Sequence, residues 1–169
     1  MKPERPNFIG GYSTEFQRKA AHAKNAGTLL PILQKRCPDA NQVQNNAQLY
    51  TYVQDYKRQY LKSSPPLGKV RYNDKISTLN RALGLHTYAV RVQGNKLKRK
   101  NELRVASVFK DLPRAFLTMI VVHELAHLRH KDHNKAFYRL CEHMEPDYHR
   151  YEADLRLWLF AIQKPPPSP

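Results

Sequence analysis

Cysteine is scarce in this 169-residue chain: Cys37 and Cys141 lie far apart and form no CxxC pair. A disulfide scaffold or a zinc ribbon is therefore disfavoured, and a reducing compartment fits best. Acidic residues are also few, 14 against 29 basic ones, which leaves a formal net charge of +15. A surplus of that size favours anionic partners. No apolar run approaches the roughly 18 residues a membrane span requires. No apolar segment follows Met1-Lys2-Pro3-Glu4-Arg5-Pro6, so neither a signal peptide nor a membrane partner is expected. The composition reads as a soluble, cytoplasmic protein. A P-loop and internal repeats are missing too, so any phosphate binding would rely on side chains and helix N-termini.

Against these absences stands His123-Glu124-Leu125-Ala126-His127, with His133 six positions after His127. A random HExxH is expected in roughly one or two chains per hundred of this composition. Residues four apart are neighbours on a helix surface, so His123 and His127 can offer two imidazole nitrogens to one metal ion. Glu124, rotated by about 100° from His123, falls beside that ion, where a base for a water molecule is needed. The run Ala115 to Val122 suits a buried helix. The helix is expected over about 112–129, with Asp111 as N-cap and Pro113 in the first turn.

Catalytic zinc usually takes three protein ligands. His133 is the leading candidate for the third, with His130, His143, His149, Glu142 and Glu145 in competition. Six further residues on a straight helix turn by about 600° and would carry His133 off the metal face. The helix must therefore end between Leu128 and Asp132 and fold back, and Asp132 is placed to cap a new helix starting at His133. A metzincin has glycine where His130 stands, and no Met-turn follows. The expected cofactor is Zn²⁺, or another divalent transition ion.

Elsewhere, residues 14–36 look helical with an interruption at 27–31, and Asn45 or Asn46 should cap a helix over 47–61. The tyrosines of that helix read as core packing rather than a base-stacking platform. Short strands are expected at 69–72, 87–93 and 102–109, with a short helix at 75–83; helices then follow at 134–144 and 150–162. The fold class is α+β, with helices around a small, mostly antiparallel sheet and the HExxH helix at the centre. Residues 1–12 read as a loose segment, 13–163 as one domain and 164–169 as a proline-rich disordered tail. Between Arg91 and Lys110, seven basic residues face the single Glu102. Arg91, Lys96, Lys98, Lys100 and Arg104 are the candidate substrate contacts, although such a run also serves as a solvated hairpin tip.

The stretch Val121 to Leu128, then His133, Ala136-Phe137-Tyr138, Met144-Glu145-Pro146-Asp147-Tyr148 and Arg156-Leu157-Trp158-Leu159 resembles the YgjP-like metal-dependent hydrolases, a small-zincin family. The likeness covers roughly residues 45–160 and implies a zincin-like domain. It implies His123, His127 and His133 as metal ligands and Glu124 as catalytic acid/base. Many relatives carry a Trp-Gly-Ser-Cys segment before the metal helix. This chain does not, and its single tryptophan is Trp158.

The motif default is a metallopeptidase. The alternative, made plausible by the resemblance and the basic run, is a nucleoside triphosphate pyrophosphatase, with UTP as an example. A DNA-associated, SprT-like protease is a further alternative, although the cysteine-rich ribbon of such proteins is missing and a nucleic-acid partner is not favoured. The expected substrate is thus an anionic nucleotide or a peptide.

Overall fold

The computed structural model describes residues 5–75, 102–165, 167 and 168. Three helices come first: α1 (Thr14–Asn25), α2 (Leu29–Arg36) and α3 (Asn46–Tyr60). Ser13 Oγ accepts from Phe16 N at 3.2 Å and caps α1; Asn45 Oδ1 accepts from Gln48 N at 2.8 Å and caps α3, as its sequence position predicts. Between α1 and α2 the chain turns at Gly27, whose φ of 74° is a conformation that L side chains rarely adopt. Ahead of α1, Ile9 is buried, and the carbonyls of Pro6 and Phe8 accept from Gln163 and Arg156 near the far end of the chain.

Strands β1 (Lys69–Asn73) and β2 (Glu102–Ala106) form the sheet seen among the described residues. They run parallel, with Arg71 opposite Arg104, which corrects the expected antiparallel character. Parallel neighbours need a connection of about a dozen residues or more; residues 74–101 between these strands exceed that. The strand and helix expected at 87–93 and 75–83 fall on or run into residues outside those described. Strand β2 stops at Ala106, short of the expected Phe109, because the chain tightens into a 3-10 turn over Ser107–Asp111. Alternation buries Val70, Tyr72, Leu103 and Val105 on the inner face.

Three helices follow: α4 (Arg114–Ala126), α5 (Lys135–Met144) and α6 (Tyr148–Ile162). Ten of the thirteen residues of α4 are buried, around its whole circumference. That is the signature of a helix enclosed by others, and α4 touches α3, α5, α6, β2 and the 3-10 turn. Its start is not capped by Asp111, as the sequence suggested. Pro113 holds the cap position, and the first helical N–H, that of Arg114, donates to the Asp39 carbonyl at 2.8 Å. A backbone acceptor from a distant loop thus does the work of a side-chain cap.

The core gathers Leu49, Val53, Phe109, Phe116, Leu117, Val121, Leu125, Phe137 and Leu155 around α4. Tyr52, Tyr56 and Tyr60 of α3 pack against this core from its rim, which matches the packing reading. Helix α2 is joined to α6 by Arg36 Nε, 3.1 Å from Asp154 Oδ2, whose side chain is 3% exposed. Among the described residues, no helix is long and apolar enough to cross a membrane.

Candidate metal centre

Helix α4 delivers His123 and Glu124 in its last turn and ends on His127. The end is local chemistry. Leu128 N and Arg129 N reach back only three residues, to Leu125 O and Ala126 O at 3.0 and 3.1 Å, so the last turn tightens. The chain then reverses, and Asn134 Oδ1 accepts from Phe137 N at 2.9 Å to start α5. The capping residue is Asn134, not Asp132; the Asp132 carbonyl instead accepts from Asn134 N at 2.8 Å and helps to close the reversal. His133 sits immediately before this cap, directed back to the other two histidines.

The three imidazoles converge. His127 Nε2 lies 3.2 Å from His123 Nε2 and 3.0 Å from His133 Nε2. Among the described residues, they form the group of metal-binding side chains close enough to share an ion, with all ligand atoms within 4.8 Å. Zn–N bonds of about 2.05 Å at the tetrahedral angle would place the nitrogens about 3.3 Å apart. The donor set fits as well as the spacing. His127 Nδ1 lies 2.9 Å from the His130 carbonyl oxygen, which can only accept, so Nδ1 carries the proton and Nε2 presents a bare lone pair. That lone pair faces two further ring nitrogens, which is the arrangement a divalent cation satisfies.

His123 is buried, His127 intermediate and His133 exposed. Burial holds the His123 imidazolium well below the ordinary histidine pKa, and the neighbouring His127 and His133 lower it further. A neutral ring is the form that binds metal. His123 Nδ1 lies 2.8 Å from the Tyr148 hydroxyl at the start of α6. Tyr148 is itself 1% exposed, and its burial raises its own pKa. Beneath the three rings lies Phe137, fully buried, with ring centroids 5.0, 4.6 and 4.9 Å from those of His123, His127 and His133. It gives the site an apolar floor.

The competing candidates are held elsewhere. His130 contributes its carbonyl rather than its ring. His149 pairs with Glu142 at 2.7 Å, His143 meets the edge of Tyr60 at 5.5 Å, and Glu145 Oε1 accepts from Asp147 N at 3.0 Å. Glu124 is half-buried and adjacent to His123 along the helix. Cys141 is fully buried, and burial pushes its thiol up to about 12, so it is a neutral packing residue.

Of the basic run, Arg91, Lys96, Lys98 and Lys100 lie outside the described residues. Arg104 Nη2 is 2.9 Å from Glu102 Oε2, while Arg71 Nε is 2.7 Å from the other oxygen of the same carboxylate. Sequence reasoning missed the pairing of Arg71 with Glu102 and the contacts of Tyr148 and Phe137 with the histidines. The parallel register that sets Arg71 opposite Arg104 has no local signal, whereas Phe137 at helical spacing after His133 was a readable hint.

The family model described as a YgjP-like metallopeptidase domain matches residues 30–157. A UTP pyrophosphatase of Escherichia coli (strain K12) is 51% identical over 155 residues, covering 92% of this chain and 93% of that protein. No solved structure gives a significant match. Such coverage, together with three converging histidines that suit a metal ion, places the chain in the YgjP-like family as a metal-dependent hydrolase.

Proposed function

We propose that this protein hydrolyses a nucleoside triphosphate, UTP foremost, to the monophosphate and pyrophosphate. In this reading His123, His127 and His133 hold a zinc ion and Glu124 is the acid/base. The observation that carries the substrate is the 51% identity, across nearly the full length of both chains, with a UTP pyrophosphatase. Three histidine nitrogens at tetrahedral spacing support zinc. Bound there, zinc supplies Lewis acidity, which lowers the pKa of water towards about 7 and offsets charge on phosphoryl oxygens.

The residues themselves divide the work. Glu124 takes the proton of the attacking water as its oxygen bonds to the α-phosphorus, and returns a proton as the bond to the pyrophosphate oxygen breaks. His130, through its carbonyl, fixes the His127 tautomer. Phe137 excludes water from the inner side of the site. Arg91, Lys96, Lys98, Lys100 and Arg104 neutralise the triphosphate, and support for this comes from the charge of the 91–110 run.

A panel of nucleoside triphosphates, assayed for pyrophosphate and monophosphate with zinc-loaded enzyme, tests the reading. The wild type releases the two in equal amounts. Glu124→Gln retains zinc and loses about 10²- to 10⁴-fold in turnover. Silence towards every triphosphate in the zinc-loaded protein refutes the substrate, and full activity in Glu124→Gln refutes the acid/base assignment. The family description favours a second reading, peptide hydrolysis; cleavage of casein or a peptide library, lost in Glu124→Gln, would establish it.

A further inference from the structure

Tyr148 stands 25 residues from His123 in sequence, yet its hydroxyl is 2.8 Å from His123 Nδ1 inside the core. The ring is essentially inaccessible at 1% exposure, stacks near the His123 ring at 15° and 6.5 Å, and opens helix α6. No solvent reaches this contact to exchange partners. A tyrosine hydroxyl can donate one hydrogen bond and accept others. When the His123 Nε2 lone pair faces the other two imidazole nitrogens, the ring proton sits on Nδ1, and the Tyr148 hydroxyl oxygen is its acceptor.

We infer that Tyr148 is a positioning residue: by accepting a hydrogen bond from His123 Nδ1–H, it fixes the imidazole in the tautomer whose Nε2 lone pair points at the metal centre. This inference rests on the reading of His123 as a metal ligand. It makes the two helix-borne histidines equivalent in design, since His127 Nδ1–H is fixed by the His130 carbonyl. The difference lies in reach. His127 is oriented from its own turn, whereas His123 is oriented by α6, so the docking of α6 on α4 becomes a condition for tight metal binding.

Partners of this kind typically contribute about 10- to 100-fold in metal affinity. Zinc affinity, measured by competition with a chromogenic chelator, is therefore compared in wild type, Tyr148→Phe and His123→Ala. The expected result is one zinc per chain in Tyr148→Phe, bound about 10- to 100-fold more weakly, and a larger loss in His123→Ala. The ¹⁵N shifts of the His123 ring provide a second readout. In the metal-free wild type they should report Nδ1–H, and in Tyr148→Phe a mixture containing Nε2–H.

Wild-type affinity in Tyr148→Phe together with a loss in His123→Ala overturns this inference and leaves His123 as a ligand. Wild-type affinity in His123→Ala overturns both. If Tyr148→Phe fails to fold, an Nε2–H tautomer in the metal-free wild type still overturns it.

Discussion

The turn that carries His133 is the part of the metal centre most open to a quantitative test, and Asn134→Ala is the perturbation. Asn134 Oδ1 accepts from Phe137 N at 2.9 Å and from that position begins α5. Replacing such a cap with alanine costs about 1 kcal/mol. For a chain of this length that lowers the melting temperature by about 2–4 °C. His133 precedes the cap directly, so the turn sets where its backbone presents the ring to His127 and Phe137. If the whole cap energy goes into ordering His133, zinc affinity falls by about fivefold, since 1.4 kcal/mol corresponds to a factor of ten. Thermal melts of the metal-free protein and chelator competition measure the two effects. Asn134→Asp, which caps about as well, should restore both. A melting shift of the expected size with unchanged zinc affinity in Asn134→Ala would refute the idea that the turn pre-orders the third histidine.

Phe137→Ala removes a fully buried ring beneath all three imidazoles and should cost about 3–5 kcal/mol; a denaturation midpoint equal to wild type would show that the ring carries no packing load. Glu102 has its pKa lowered, first by the hydrogen bond from Arg104. Its contribution is therefore complete above the ordinary glutamate value, about 4.3, and is lost as pH falls through the lower folded value. In Glu102→Gln the melting temperature should fall less steeply with acid below about pH 4; a slope identical to wild type would rule out this pair as a source of acid sensitivity.

What the sequence discloses is what local spacing encodes. A four-residue step from one histidine to the next, an apolar run before them and a polar reversal after them are enough to pair His123 with His127 and to make His133 the leading third candidate. The reversal was legible, but its cap was not, because Asp132 and Asn134 have nearly equal capping strength and only the path of the chain distinguishes them. Asp111 lost its expected role in the same way: the Asp39 carbonyl, more than seventy residues away, satisfies the Arg114 N–H first. Strand direction depends on a connection rather than on alternation, so β1 and β2 read as strands and not as a parallel pair. The contact between Tyr148 and His123 spans α5 and its flanking turns, and no periodicity carries information across that distance.

The graded exposure of the three histidines, from buried His123 to exposed His133, also bears on the traffic of the ion. For an ion held by all three, the outermost ring is the one carried by a reversal rather than a helix. Loading and stripping then need only a brief opening of residues 128–134, at a cost far below global unfolding. The inner pair remains assembled through such an opening. The centre is built like a socket with two jaws on a helix end and the third on a turn, so the ion's residence is tied to that turn more closely than to the fold as a whole.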